Sequence, residues 1–170
     1  MDIKHYTNSI ISIYEIGEEN FRLGLLVCTN ENYSIINQIT TRGYEDGLYC
    51  VATDNIIRVD YKDRYSKVYM ELFKNNHQKF ISDFISDTDL LLSTLNYALN
   101  NSYYVSIEQD NSERLTGKIL SFSTETITLE LYNAYGENDG FSEIQRDSIT
   151  RLWCNTGNER NIQLLSTITY

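Results

Sequence analysis

Charged residues that recur at a fixed spacing are the side chains of this chain best placed to do chemistry. The sequence matches itself without a gap when it is shifted by 93 residues, and the match retains two aspartates, one arginine and three glycines in each copy. The retained charged residues are Asp46 with Asp139, Asp54 with Asp147, and Arg58 with Arg151. Carboxylates can serve as general acids and bases or bind cations. Structural roles explain the same residues, because an Asp-Gly pair favours a hairpin turn and an aspartate can cap a short 3₁₀ turn.

The acidic turn 43–47 and its counterpart 136–140 could also bind calcium. Turn geometry alone accounts for what the two copies retain, so we expect no metal. Arg58 and Arg151 either face a ligand, or pair with a nearby aspartate and cover apolar surface with their stems.

The remaining reactive side chains do not form a catalytic set. His5 and His77 lie outside the repeated core, and the sequence contains no Gly-x-Ser-x-Gly, Cys-His or Walker signature. Cys28, Cys50 and Cys154 have no counterparts in the other copy, which argues against a disulfide or metal site belonging to the repeat. We expect reduced, mostly buried thiols, no cofactor and no enzymatic activity.

Composition limits the classes of partner. The chain has 170 residues and a net charge of −10 at pH 7, spread over residues 1–73, 74–101 and 102–170 without a basic segment. A nucleic-acid partner is therefore disfavoured. No apolar stretch is long enough for a signal peptide or a membrane span, which predicts a cytoplasmic protein with no membrane contact.

The elements that position these residues are mainly β-strands. Residues 126–132 alternate strictly between apolar and polar side chains, and residues 103–108 place Tyr103, Val105 and Ile107 on one face, as half-buried strands do. Residues 115–122 are the strand between them. Gly117 inside this strand marks a bend or a close backbone approach. Two further strands, separated by a 3₁₀ turn around Asp147, complete a five-stranded barrel of the SH3-like or Sm-like kind.

Between the copies the hydrophobic period becomes helical. Apolar residues recur at helical spacing over 65–73, 80–85 and 91–99, and Asp87 or Thr88 can cap the last of these helices. Ile162 and Leu165 indicate a C-terminal helix. The predicted fold is mainly β (α+β): a barrel with a trailing helix over 1–73, a helical connector over 74–101, and a second barrel over 102–170 that ends in a helix or strand.

Residues 89–152 resemble the Sm/LSm group of small barrels. A leucine-bearing helix precedes the first strand, the run 117–122 resembles the Gly-x-Leu-x-x-Phe of the first Sm motif, and 149–152 lies where the second motif would be. Ser123, Ile127 and Leu152 stand where RNA-binding members carry Asp, Asn and Gly. The resemblance therefore implies the barrel, whereas the RNA-binding residues do not carry over. The chain also resembles duplicated proteins of low-GC Gram-positive bacteria.

An excess of tyrosine, 14 residues in all, favours a binding surface. The candidate binding residues are Tyr44, Arg58, Tyr61, Tyr104, Tyr135, Arg151 and Trp153. We expect a module that binds a protein or peptide. An RNA-binding Sm-like protein and an acidic immunity or antitoxin-like protein are the alternatives. Sm-like barrels join through their edge strands, which implies either pairing of the two barrels within the chain or a homodimer.

Overall fold

A computed structural model describes residues 1–110 and 112–168, and this part of the chain forms ten strands and three α-helices. The fold is mainly β, of the α+β class. The strands are β1 (Ile10–Glu15), β2 (Arg22–Thr29), β3 (Tyr33–Ile39), β4 (Glu45–Ala52), β5 (Ile56–Tyr61), β6 (Tyr104–Gln109), β7 (Leu115–Phe122), β8 (Thr126–Tyr132), β9 (Asn138–Gln145) and β10 (Ile149–Cys154). The helices are α1 (Arg64–Asn75), α2 (Leu90–Asn100) and α3 (Gly157–Ser166).

All described strands belong to one antiparallel sheet in the order β5-β1-β2-β3-β4-β10-β6-β7-β8-β9. The repeat is visible in this order, because β10-β6-β7-β8-β9 of the second half corresponds to β5-β1-β2-β3-β4 of the first. The two halves join where β10 pairs with β4, with Arg151 opposite Val51 and Cys154 opposite Leu48. The prediction of two closed barrels is therefore corrected to one open ten-stranded sheet, since each half pairs its edge strand with the other half.

The glycines inside β2 and β7 permit the close strand approach that the sequence predicts. A Cβ atom on Gly24 would lie 2.2 Å from the carbonyl oxygen of Asn37, and one on Gly117 would lie 2.0 Å from that of Glu130. The register of each strand pair shifts just beyond its glycine, between Leu26 and Cys28 in the first half. The second half repeats the shift between residues 119 and 121. These bulges increase local twist and bend the sheet.

Two apolar cores lie on opposite faces of the central strands. The first is built from strands β1 to β5 and includes Tyr49 together with Trp153 of β10. The second is built from the second half, helix α2 and the other face of β3 and β4, where Ile35 and Cys50 are fully buried. Because both faces of β3 and β4 are covered, the joint between the halves is the most deeply buried region of the sheet.

The helices begin at side-chain caps. Asp89 accepts a hydrogen bond of 2.9 Å from the Leu92 amide and caps α2, two residues after the predicted Asp87 and one after Thr88. Thr156 and Glu159 form a capping box at α3, which confirms the predicted C-terminal helix.

The connector differs from the prediction, because residues 76–89 form no helix. The amide of Ile81 donates to Asn37 Oδ1 at 2.7 Å, so the backbone here is bonded to the sheet. The predicted 3₁₀ turns are present at Thr53–Asn55 and Arg146–Ser148. Asp54 and Asp147 lie inside these turns and form no side-chain cap.

Candidate functional site

The joint between the halves opens into a cleft of about 590 Å³, named here the junction cleft. Its walls are the β2–β3 loop of the first half, the two 3₁₀ turns and the N-terminal end of α2. Asp54 and Asp147, 93 residues apart in the sequence, both line it. Its other lining residues are Asn30, Glu31, Asn32, Tyr33, Ala52, Thr88, Asp89, Leu90, Leu91, Asp110, Arg146, Ile149 and Thr150.

The junction cleft is strongly acidic. Asp54, Asp147, Glu31 and Asp110 are exposed around it. Among the described residues, no salt bridge involves Asp54, Asp147 or Glu31. Arg146 is the single cation among the lining residues, against five carboxylates. The cleft therefore attracts positive charge.

Arg146 is fixed in the wall of the cleft and its charge is already compensated. Its Nη2 atom donates to Asp89 Oδ2 at 2.6 Å, and Nη1 donates to the carbonyl oxygen of Thr124 at 3.1 Å. Burial alone would raise the pKa of Asp89, but hydrogen bonds from the Leu92 amide and from Arg146 hold it below its ordinary value. Arg146 thus ties α2 to the second 3₁₀ turn, while its buried Nε has no partner among the described residues.

Tyr33 bridges the two halves beside the cleft. Its hydroxyl donates to the carbonyl oxygen of Ile149 at 2.8 Å. Burial raises the pKa of Tyr33 to about 12, so the hydroxyl stays protonated and remains a donor at physiological pH. Leu91 and Ile149 beside it are only 1% and 2% exposed, so the open surface of the cleft is mainly polar.

A second polar cluster, named here the buried lock, holds the halves together from within. Glu15 of β1 is only 2% exposed and Arg151 of β10 is 6% exposed. Glu15 Oε2 accepts from Arg151 Nε at 2.8 Å and from the Tyr49 hydroxyl at 2.7 Å. Arg151 also donates to Glu108 and, at 2.9 Å, to the carbonyl oxygen of Ile16.

Electrostatics in the buried lock favour one fixed ionisation state. Burial raises the pKa of Tyr49 well above its ordinary value, and the nearby Glu15 carboxylate adds to this effect. Burial would lower the pKa of Arg151, but its hydrogen bond to Glu15 and the surrounding anionic groups raise it. Tyr49 is therefore a neutral donor and Arg151 a permanent cation, as an intramolecular clamp requires.

Trp153, the single tryptophan of the chain, packs beside the lock and contacts two arginines, one of which, Arg22, also pairs with Glu15. Its ring centroid is 5.1 Å from that of Tyr49. The guanidinium carbon of Arg114 lies 3.7 Å from the Trp153 ring centroid, and that of Arg22 lies 5.3 Å from it. Trp153 is 3% exposed, so it packs across the joint and reports on it spectroscopically.

The structure does not bring the seven candidate binding residues into one site. Arg151 and Trp153 lie together at the joint, and Tyr104 is buried with its hydroxyl 3.0 Å from that of Ser166. The other four are exposed at separate places: Arg58 and Tyr61 on β5, Tyr44 before β4, and Tyr135 before β9. None of the seven lines the junction cleft. A ligand-binding role for them stays a prediction.

Two features of the joint involve acidic residues at the repeat offset, of which the sequence analysis singled out only Asp54 with Asp147. Glu15 and Glu108 are separated by the repeat offset of 93 residues, and Arg151 binds both. Asp54 and Asp147 have the same separation and converge on one cleft. Their convergence depends on the β4–β10 pairing, which no local pattern specifies.

Within residues 1–110 and 112–168, no three His, Cys, Asp or Glu side chains are grouped so as to hold a metal ion. No helix in the same residues is long and apolar enough to cross a membrane. No family model, curated protein or solved structure matches this chain.

Proposed function

We propose that this chain is a non-enzymatic binding module that takes a basic segment of a partner protein into the junction cleft. The observation that carries the proposal is the convergence of Asp54 and Asp147 from the two copies on one cleft. In this proposal each half is a curled five-stranded unit of the SH3-like or Sm-like kind, and the cleft exists because two such units are joined.

The chemistry of the cleft favours a peptide over the alternatives. The exposed carboxylates can accept hydrogen bonds from lysine or arginine, and charge complementarity of this kind raises association rates and sets specificity. A nucleic-acid backbone would instead meet like charge at Glu31, Asp54 and Asp147.

An immunity or antitoxin-like role is one form of this proposal. A protein that neutralises a basic toxin needs an acidic surface that covers cationic groups, and the junction cleft offers several carboxylates in one concave region. Peptide-binding measurements identify which type of side chain the cleft recognises. A neighbouring gene that encodes a basic toxin would then identify the partner.

The test measures binding of labelled peptides by fluorescence anisotropy. The probes are a library of peptides rich in lysine and arginine, a library of acidic peptides and a U-rich oligonucleotide. Each probe is measured with the native protein and with two double variants. Asp54→Asn with Asp147→Asn removes two of the five carboxylates that line the cleft. Glu137→Gln with Asp139→Asn removes the same charge from the exposed β8–β9 hairpin.

We expect basic peptides to bind in the micromolar range, with affinity that falls as salt rises. The cleft variant should lose at least about tenfold in affinity, or about 1.4 kcal/mol, whereas the hairpin variant should bind as the native protein does. Equal losses in the two variants would mean non-specific attraction and would refute the proposal. Oligonucleotide binding tighter than peptide binding would favour the RNA-binding alternative.

A further inference from the structure

The two ends of the sheet are open edges of different kinds. Among the described strands, β5 pairs only with β1 and β9 pairs only with β8. Large apolar side chains are exposed on both: Ile57 and Tyr61 are 56% and 48% exposed, and Phe141 is 68% exposed. Open edges with exposed apolar residues are templates for strand pairing with another chain.

Charge is not spread evenly over the folded molecule, because the two open ends carry opposite signs. Residues 58–79, which include β5 and α1, contain six basic and three acidic residues. Residues 130–145, which include β9, contain four acidic residues and no basic one. The acidic residues are Glu130, Glu137, Asp139 and Glu143.

The basic end also has a concave surface. A groove of about 550 Å³ lies between the end of β5 and helix α1. Its lining includes three lysines and one glutamate together with apolar side chains: Lys62, Lys67, Lys74, Glu71, Ile10 and Met70. Lys74 pairs with Glu71 at 3.1 Å, and among the described residues no salt bridge involves Lys62 or Lys67. The groove can therefore accept carboxylates.

We propose that copies of this chain associate head to tail, with β9 of one copy added antiparallel to β5 of the next. The acidic β8–β9 hairpin then lies against the lysine-lined groove of the neighbouring copy. Strand hydrogen bonds supply the contact along the edge, and the opposite charges of the two ends select this orientation.

The joint inside the chain provides the register. A shift of 93 residues carries β4 onto β9 and β5 onto β10, so a β9–β5 contact between copies is the repeat of the β4–β10 joint. Cys154 lies opposite Leu48 in that joint, and Arg151 lies opposite Val51. The equivalent pairs place Tyr61 opposite Phe141 and Arg58 opposite Ile144. The two exposed aromatic side chains of the open edges therefore face each other.

The same charges disfavour a symmetric dimer. Pairing two β5 edges would bring the lysine-lined grooves together, and pairing two β9 edges would bring the acidic hairpins together. A head-to-tail contact between different surfaces generates a closed ring or an open filament. The association therefore differs from the symmetric dimer, the simplest form expected from edge strands.

Cysteine cross-linking tests the register directly. In a Cys28→Ser background, Tyr61→Cys and Phe141→Cys are made as separate proteins and oxidised alone or as a mixture. We expect a disulfide-linked pair in the mixture and none in either protein alone, because residue 61 faces residue 141 rather than itself. Homodimers from the single variants, or no cross-link in the mixture, would overturn the proposal.

Light scattering tests the association itself. The native protein at tens of micromolar and low salt should have a mass well above 19.8 kDa, falling as salt is raised. Phe141→Lys should weaken association at least tenfold. Leu164→Lys on α3, where Leu164 is 62% exposed, is the matched control and should associate as the native protein does. A native mass of 19.8 kDa, or equal effects of the two lysine variants, would overturn the proposal.

Discussion

Replacement of Arg151 by methionine should destabilise the protein far more than the same replacement at its repeat counterpart, Arg58. The two arginines occupy equivalent positions in their copies but have different surroundings. Arg151 is clamped at the joint by Glu15 and Glu108. Arg58 lies on the open β5 edge, where its side chain is 62% exposed and pairs with Asp60.

The expected cost follows from what each replacement leaves behind. Without Arg151, Glu15 keeps its bonds from the Tyr49 hydroxyl and from Arg22 Nε, at 2.7 Å and 3.2 Å. Breaking a buried ion pair costs about 3–5 kcal/mol when the remaining charge is left uncompensated. Because Arg22 stays paired with the buried Glu15 carboxylate, the cost of Arg151→Met should lie at the lower end of that range. The exposed pair of Arg58 should contribute far less, even with a bidentate contact, because solvent screens its charges.

Urea denaturation followed by far-UV circular dichroism measures the difference. With a slope of about 1–3 kcal/mol per molar urea, Arg151→Met should lower the midpoint by about 1 M or more, and Arg58→Met by a few tenths. Trp153 fluorescence adds a local probe of the joint. The double variant Glu15→Gln with Arg151→Met should lose less than the sum of its single variants, because they remove the same contact.

Equal destabilisation by the two methionine variants would refute this account of the joint. So would additive effects of the Glu15 and Arg151 replacements, since an additive result means that the two side chains do not stabilise each other. A loss below about 1 kcal/mol in Arg151→Met would show that the Glu15–Arg151 pair contributes no more than an exposed pair does.

Three further predictions concern other parts of the fold. Burial raises the pKa of the Cys50 and Cys154 thiols, so a thiol reagent at pH 8 should label only the half-exposed Cys28 until denaturant is added. Gly117→Ala should cost about 1–3 kcal/mol by overpacking, as thermal unfolding would show. Although burial opposes it, hydrogen bonding lowers the pKa of Asp89 in the folded state. Its stabilising effect should therefore be complete above about pH 4 and be lost as pH falls through the lowered pKa; Asp89→Ala should flatten that dependence in urea midpoints measured from pH 6 to 2.

The local structure of each copy could be predicted from the sequence because its determinants are local. Alternating apolar residues specify β8, and the close approach at Gly117 is required by a backbone oxygen that would lie 2.0 Å from any Cβ. The repeat strengthened these predictions, since a residue that is retained in both copies has to fit the same local structure in each copy. The 3₁₀ turns around Asp54 and Asp147 follow from the same argument.

The connector shows where periodicity misleads. Phe80, Ile81, Phe84 and Ile85 have helical spacing, yet the segment forms no helix, and the Ile81 amide donates to the Asn37 side chain of the sheet. Phe80 stacks on Phe73 with ring centroids 4.5 Å apart. Phe80 packs against a small third core of Leu23, Ile39 and Phe73, whereas Phe84 packs against the core of the second half. Contacts with two different cores therefore produce a spacing that imitates an amphipathic helix.

The joint could not be predicted from sequence, since an edge strand carries no local information about its partner. The residues of β4 are compatible with pairing inside the chain or between chains, and only the folded arrangement shows that β10 is the partner. The roles of Arg58 and Arg151 depend on that choice, because the same side chain becomes a buried clamp in one copy and an exposed ion pair in the other.

Joining two copies of one unit creates a site that neither copy has alone. The junction cleft needs one 3₁₀ turn from each half, and the buried lock needs Glu15 from one half and Arg151 from the other. Both are products of the β4–β10 pairing. Because the cleft lies at the centre of the sheet and the open edges lie at its two ends, the residues that would bind a basic peptide differ from those that would join copies. Neutralising Asp54 and Asp147 should therefore leave the mass in solution unchanged, and Phe141→Lys should leave peptide affinity unchanged.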